Sequence, residues 1–163
     1  MGITNPEHLS QEEKDVFWMQ YALNLARKAE QEGEVPVGAV IVDGDKLIAE
    51  GWNQTIQRSD PTAHAEIVAL RQAGQSKQNY RLINLTMYVT LEPCPMCAGA
   101  LVHSRLKRLV TGADDYRTGA AGSLMNIICH ESLNHKLEHT NAVLRQESSQ
   151  LISQFFKNKR KCG

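Results

Sequence analysis

The sequence predicts an α/β fold of three layers, in which a five-stranded mixed sheet is covered by helices on both faces. Two observations predict it. Short β-branched runs alternate with helical segments in the order α-β-β-α-β-α-β-(α)-β-α. The Asp43-Gly44 turn joins the first two strands as an antiparallel hairpin, whereas the later strands, joined through helices, should be parallel.

The first helix is predicted from a capping box of Ser10 and Glu13 to an end at Gly33. Apolar side chains recur within it at helical spacing, which indicates one face packed in the core. Strands are predicted at 37–42 and 46–50 on either side of the hairpin turn.

Asp60 and Pro61 have the residue types of a helix N-cap and a first helical position, so the second helix is predicted to begin there and to stop near Gly74. After a strand at 87–91, Pro95 is well placed to begin a helix that runs to about Ser104.

The last part of the chain is predicted to add strands at 109–112 and 136–140 and a helix from about 144 with a basic end. The chain has 163 residues and no repeat, low-complexity segment or linker. That length suits one domain, so residues 1–163 are predicted to form a single domain.

Charge and composition exclude some classes of protein. Basic and acidic residues are equal at 18 each, so net charge does not indicate nucleic acid, although a local patch could still exist. Residues 1–13 lack the features of a signal peptide, and the apolar run at 35–42 is too short for a bilayer. A cytoplasmic protein without membrane partners is expected, and in such a protein close cysteines more often bind metal or do redox chemistry than form disulfides.

Two short motifs carry the predicted chemistry: His64-Ala-Glu66, and Cys94 with Cys97 between prolines. Each lies near a predicted helix start, and the positive end of a helix favours thiolate over thiol. Zinc binds imidazole and thiolate together in a tetrahedral site. The sequence therefore predicts one zinc ion held by His64, Cys94 and Cys97, with a fourth position left for water, as in catalytic sites.

Glu66 is predicted to move protons. A carboxylate beside a zinc-bound water of pKa roughly 7 can take its proton and deliver protons to a ring nitrogen and a leaving amine. Positions two apart lie on nearly opposite sides of an ideal helix. Glu66 can therefore reach the metal site only if that site lies near the helix axis, above its first turn.

A Cys-x-x-Cys pair alone would also suit a thioredoxin-like redox site, but that reading leaves His-x-Glu unexplained. His-x-Glu followed by Pro-Cys-x-x-Cys is the established signature of zinc-dependent nucleobase deaminases, a group whose examples include the tRNA deaminases, so this step uses a known motif. Cys129 with His130, and His135 with His139, match no strong metal-site template.

The sequence also resembles the bacterial tRNA-specific adenosine deaminase family over nearly the whole chain, from about residue 18 to 160. The resemblance rests on EVPVGAV (34–40), GWN (51–53), DPTAHAE (60–66), LEPC (91–94), MCAG (96–99), HSR (103–105) and TGAAGS (118–123). It implies a cytidine-deaminase-like fold, a homodimer with one zinc per subunit, and conversion of the wobble adenosine of a tRNA anticodon to inosine.

The resemblance also implies roles for individual residues. It assigns zinc binding to His64, Cys94 and Cys97 and the proton shuttle to Glu66. It further implies that Asn53 hydrogen-bonds the purine, that Val37 and Leu91 line the base pocket, and that Asp115 and Phe156 contact the flanking nucleotides. Considered alone, these last five also suit ordinary loop, strand, turn and core roles.

The C-terminal segment at 155–161 combines Phe155 and Phe156 with a basic cluster that includes Lys159 and Arg160. Aromatics can stack on bases and basic groups can contact phosphates, which supports an RNA substrate such as an anticodon stem-loop. A basic helix end is also favoured by the helix dipole. Two other functions stay open: a deaminase of a free base or nucleotide, of guanine or cytidine type, and a non-catalytic zinc module that binds RNA.

Overall fold

The computed structural model describes residues 2–162. Within them the chain forms four helices and five strands: α1 (Gln11–Gln31), β1 (Gly38–Asp43), β2 (Lys46–Trp52), α2 (Ala65–Lys77), β3 (Thr86–Leu91), α3 (Pro95–Ser104), β4 (Arg108–Ala113), β5 (Glu138–Thr140) and α4 (Arg145–Cys162). The described residues contain no helix with both the length and the apolar composition needed to cross a membrane.

One sheet contains all five strands, in the order β2-β1-β3-β4-β5. β1 pairs antiparallel with β2 and β3, whereas β3–β4 and β4–β5 pair in parallel. The predicted mixed sheet is confirmed. The helix given in parentheses in the predicted order, before the last strand, is not formed. The described connection at 114–137 instead consists of turns, bends and isolated bridges.

One face of the sheet is covered by α1 and α4. Trp18 and Ala22 of α1 pack in a cluster with Val40, Tyr88 and Val110 of the strands. Helix α4 lies on the same face, because its Ser148 abuts Gly112, two residues from Val110 on β4.

The other face is covered by α2 and α3. Ala69 and Leu101 pack there in the larger apolar cluster with Ile41, Met87 and Leu109. These strand residues alternate with those that face α1, as the pleat requires. Helices on both faces complete the predicted α/β/α sandwich.

Two glycines let helices approach the sheet closely. A Cβ atom at Gly38 would collide with backbone atoms of Ala22 and Ala26 in α1, and one at Gly51 would collide with backbone atoms of Ala65 and Ala69 in α2. Both helices therefore lie nearer to the strands than any larger residue would allow.

The predicted start of α2 at Asp60 and Pro61 was wrong. Asp60 instead closes a turn, in which its carboxylate accepts hydrogen bonds from the backbone N–H and hydroxyl of Thr62 at 2.8 and 2.7 Å. The carbonyl of Ala63 accepts a hydrogen bond from the Gln54 amide at 2.9 Å. This bond within the loop between β2 and α2 occupies a carbonyl that a helix start would need, and α2 begins only at Ala65.

Candidate active site

The two predicted motifs meet where α2 and α3 begin. His64 is the N-cap of α2 and Cys94 is the N-cap of α3, and both have extended backbone angles. Pro95 occupies the first turn of α3, where its missing N–H costs nothing. Each helix thus begins at a candidate metal ligand, and Cys97 follows in the first turn of α3.

His64, Cys94 and Cys97 form a possible metal-binding site, with their donor atoms all within 4.8 Å of one another. The Nδ1 atom of His64 lies 3.6 Å from Sγ of Cys94 and 3.5 Å from Sγ of Cys97. A tetrahedral zinc ion with bonds of about 2.0 Å to nitrogen and 2.3 Å to sulfur would separate these atoms by about 3.5 Å. The donor set and its spacing therefore fit zinc.

The two thiols differ in acidity. Hydrogen bonds from Cys97 and His64 lower the pKa of Cys94 to about 4, so its thiolate is favoured. The hydrogen bond to Cys94 and burial raise the pKa of Cys97. The opposite directions reflect one proton kept between two neighbouring sulfurs. A divalent cation removes that competition, since a coordinating thiol loses its proton outright.

Glu66 is the second residue of α2 and is only 4% exposed. Burial raises the pKa of Glu66 to about 7, which suits a group that both accepts and donates protons near neutral pH. The sequence required a site above the first turn of α2 if Glu66 was to reach it. In the structure Glu66 lines the same cavity as His64 and Cys94, and ideal helical angles do not separate His64 from Glu66 because His64 is a non-helical cap.

A cavity of about 250 Å³ opens beside these residues. Val37, Asn53, Leu91 and Asp115, all predicted as substrate contacts, line it together with Glu66. Within the described part of the chain, Phe156, Lys159 and Arg160 do not line it. The structure therefore brings the predicted base contacts together with the metal site but leaves the predicted tail contacts outside the cavity.

Residues 12–113 match the family model of the cytidine and deoxycytidylate deaminase zinc-binding region, and this range contains His64, Glu66, Cys94 and Cys97. The chain belongs to this deaminase family. The predicted zinc cofactor is confirmed by the match to a zinc-binding region together with the ligand geometry.

Comparison with individual proteins shows which members of the family the chain is similar to. The deaminase is 58% identical over 149 residues to the tRNA-specific adenosine deaminase of Haemophilus influenzae, covering 91% of this chain and 86% of that protein. It is 48% identical over 147 residues to the protein of the same name from Buchnera aphidicola, covering 90% and 97%.

A solved structure from a study of A-to-I editing by tRNA:A34 deaminases matches the chain with a TM-score of 0.80. It is 38% identical in sequence, and the match covers 83% of this chain and 98% of that one. The cytidine-deaminase-like fold implied by the sequence resemblance is confirmed.

The C-terminal helix of the deaminase divides its two phenylalanines between core and solvent. Phe155 is buried, whereas Phe156 is 43% exposed. The Lys159 ammonium lies over the Phe155 ring, 5.5 Å from its centroid. Lys159 and Arg160 are exposed. Phe156 and the basic side chains are therefore accessible, although they lie outside the cavity.

Glu92 contributes to the site of the deaminase in a way that sequence reasoning missed. Its carboxylate accepts hydrogen bonds from the amides of Asp115, Ala121 and Ser123 at 3.0, 2.9 and 3.0 Å, and from the Ser123 hydroxyl. Burial raises the pKa of Glu92, but these hydrogen bonds outweigh it and lower the pKa below its ordinary value. The Gly/Ala-rich loop at 118–123 is thereby tied to the segment that leads to Cys94. A carboxylate placed between a strand and the cysteine motif was the available signal.

The adjacent carboxylates Asp114 and Asp115 have separate partners. Asp114 pairs with Arg145 at 2.8 Å, which joins the end of β4 to the start of α4. Asp115 accepts hydrogen bonds from the amides of Arg117 and Thr118 at 2.9 and 3.2 Å, and so closes the turn at the cavity edge.

The later histidines point away from any shared site within the described residues. The Nε2 atom of His135 lies 2.7 Å from the Leu106 carbonyl, and that of His139 lies 2.9 Å from the Thr111 hydroxyl. Cys129 is exposed and forms no disulfide. The position of Cys162 near the end of the sequence predicts a free thiol, and its side chain lies outside the described residues.

Proposed function

We propose that this deaminase converts adenosine to inosine at the wobble position of a tRNA anticodon by zinc-dependent hydrolysis. Buried Glu66, at the edge of a cavity beside three convergent metal donors, supports this chemistry most directly. The substrate class is supported by the relatives named above, which are named tRNA-specific adenosine deaminases and which the chain matches over most of their length.

His64, Cys94 and Cys97 would hold the zinc ion. When bound, zinc lowers the pKa of a water molecule beside it to roughly 7, which makes a nucleophile available at neutral pH. Glu66 accepts one proton of the attacking water and delivers it to N1 of the purine. The water oxygen bonds to C6, the C6–amine bond breaks, and Glu66 transfers the second water proton to the leaving amine. The products are inosine and ammonia.

The other predicted residues would select and orient the base. Asn53 would hydrogen-bond the purine while Val37 and Leu91 pack against its faces. An anticodon loop already presents unstacked bases, so placing one in this cavity costs less than opening a duplex.

The flanking RNA would contact the rim and the tail. Asp115 and Phe156 would contact the neighbouring nucleotides, and Lys159 and Arg160 the phosphates. Exposed Phe156 offers a face on which a base can stack, and exposed cations attract the phosphate backbone.

We further propose that residues 1–163 act as a single deaminase domain, that two copies form a homodimer with one zinc per subunit, and that the protein works in the cytoplasm, where its tRNA substrate would be. Leu124 and Met125 are exposed on the connection after β4 and suit such an interface, because exposed apolar groups gain free energy from burial.

The test measures inosine in a transcribed anticodon stem-loop with adenosine at the wobble position. The matched control moves that adenosine by one position, and parallel reactions follow ammonia release from free adenosine, cytidine and guanine. Inosine at the wobble position alone supports the proposal. Reaction of free bases or nucleosides alone would favour the free-substrate deaminase, and RNA binding without any deamination would favour the non-catalytic zinc module.

A further inference from the structure

Glu34 is a fully buried carboxylate next to the cavity, with 0% of its surface exposed. It follows the turn that ends α1 and immediately precedes a segment from which Val35 and Val37 line the cavity wall. Its backbone amide donates to the Ala29 carbonyl at 2.9 Å, so its main chain is anchored to α1. A charged group is not placed so deep without partners, and its partners indicate its role.

Each partner of the Glu34 carboxylate belongs to one loop, the loop that follows β2. Oε1 accepts hydrogen bonds from the Thr55 hydroxyl at 3.3 Å and the Ile56 amide at 3.1 Å, and Oε2 accepts one from the Gln57 amide at 2.9 Å. Thr55 itself lines the cavity, as does Asn53 two residues earlier.

Asn53 is thus held from two sides. Its own amide donates to the Val37 carbonyl at 3.1 Å, and the turn that follows it is closed by the Glu34 carboxylate. Asn53 is nearly buried, which leaves its side chain little freedom once the backbone is fixed. The cavity walls at 35–37 and 53–55 are therefore joined through one acidic side chain.

We propose that Glu34 is a positioning residue that sets the place of Asn53 against the base, and so determines how well the base is recognised. This inference rests on the proposed function. It assigns Glu34 no contact with substrate: the carboxylate acts by fixing the backbone from Asn53 to Gln57.

The role requires a carboxylate and not merely a polar group of the same size. All three partners of Glu34 donate hydrogen bonds, and a carboxylate only accepts them. A glutamine at this position would direct an N–H₂ group at one of the donors. The loop would then have to move or leave a buried donor unpaired, although the volume of the side chain is unchanged.

The experiment is a double-mutant cycle with Glu34→Gln and Asn53→Ala, measured as kcat/KM on the wobble-adenosine stem-loop under single-turnover conditions. Glu34→Gln alone should lower kcat/KM by about tenfold to a hundredfold, since small misplacements of binding groups have effects of that size. In the Asn53→Ala background the same change should cost less than about twofold, because the group it positions is gone. Glu12→Gln, an exposed carboxylate in the first turn of α1, is the control and should leave kcat/KM unchanged.

Equal losses in both backgrounds would overturn the proposal, because a general loss of stability would act regardless of Asn53. If Glu34→Gln does not fold, Thr55→Val removes one of the donors with little change in shape and enters the same cycle. Faster hydrogen exchange at the Ile56 and Gln57 amides in Glu34→Gln provides a readout independent of activity, and unchanged exchange there would also contradict the proposal. A wild-type protein that does not deaminate the stem-loop would instead refute the proposed function.

Discussion

Arg108 donates hydrogen bonds to Asp15 from both terminal nitrogens of its guanidinium group, Nη1 to Oδ1 at 2.8 Å and Nη2 to Oδ2 at 2.7 Å. This bidentate pair ties the start of β4 to α1 at the end of the sheet opposite the cavity. The Tyr88 hydroxyl donates to Oδ1 at 2.7 Å, and Arg108 also donates to the Thr140 hydroxyl at 2.9 Å. Both side chains are largely shielded from water, so removal of one partner should lower the stability of the whole fold.

Replacing Asp15 with Ala should lower the free energy of unfolding by about 3–5 kcal/mol, because Arg108 would keep its charge without its partner. Urea denaturation with an unchanged slope would measure it. The control is Asp45→Ala, which breaks the exposed Lys14–Asp45 pair of 2.9 Å and should cost less than about 1 kcal/mol. Similar losses from both variants would show that the Asp15–Arg108 pair contributes no more to the free energy of unfolding than an exposed ion pair does.

The same pair should make stability depend on acid. Burial raises the pKa of Asp15, but hydrogen bonds from Arg108, Tyr88 and Gln11 outweigh it, so the folded pKa lies below the ordinary 3.8. The unfolded chain therefore binds the proton more readily. The stabilisation is complete above that ordinary value and is lost as pH falls through the folded pKa. Urea midpoints between neutral pH and pH about 3 should fall less steeply in Asp15→Asn than in the wild type. Parallel curves would exclude Asp15 as the source.

Glu92→Gln should loosen the Gly/Ala-rich loop, because an amide cannot accept all the hydrogen bonds that the carboxylate receives from Asp115, Ala121 and Ser123. We expect a loss of about 3 kcal/mol in unfolding free energy, since it changes several hydrogen bonds to a charged group. Calorimetry measures the loss. Ser123→Ala, which removes only the hydroxyl donor, should cost less, and Glu131→Gln on the exposed surface should cost nothing measurable. A Ser123→Ala effect as large as that of Glu92→Gln would contradict this account.

Glu66→Ala should abolish deamination while zinc and RNA remain bound, because in the proposed mechanism Glu66 moves protons and binds neither zinc nor RNA. A loss of at least about a hundredfold in kcat is expected for removal of a general acid–base group. Metal analysis and RNA binding by fluorescence anisotropy should match the wild type. Undiminished activity would refute the mechanism, and loss of zinc would show that Glu66 supports the metal site instead.

Replacing Lys159 and Arg160 together with Ala should weaken tRNA binding and reduce its dependence on salt. Two lost phosphate contacts should reduce the slope of log affinity against log salt by about 1 to 2. Lys46 and Arg81 form the matched control pair, since both are exposed near the end of the sheet opposite the cavity and their replacement removes the same charge. Equal changes in the two double variants would mean that the effect follows net charge alone.

Local signals in the sequence predicted those elements whose ends depend on neighbouring residues. The Ser10–Glu13 capping box forms in both directions, and Pro95 begins α3 as its residue type suggests. Asp60 and Pro61 gave an equally good local signal and were wrong. Their residue types suit a tight turn as well as a helix start, and in the structure the turn is accompanied by a hydrogen bond from the Gln54 backbone amide, in the same loop between β2 and α2, to the Ala63 carbonyl.

The chemistry of the site was predictable because it depends on residue types at short spacing, as with His64, Cys94 and Cys97. The supporting carboxylates were not. Glu34 and Glu92 act on backbone amides 22 to 31 residues away, and backbone amides carry no identity in a sequence. Only the fold shows which loops they close.

Gly51 affects the geometry of the metal site although it is not a ligand, because it determines how closely α2 approaches the sheet. The helix that begins just after His64 packs on this glycine, and the nearest helix atom is the carbonyl oxygen of Ala65, the residue next to the ligand. The distance of His64 from the two cysteines therefore depends on Gly51 having only a hydrogen atom as its side chain. A methyl group at position 51 would push the start of α2 away from the strand, so the position of His64 can be disturbed without replacing any ligand.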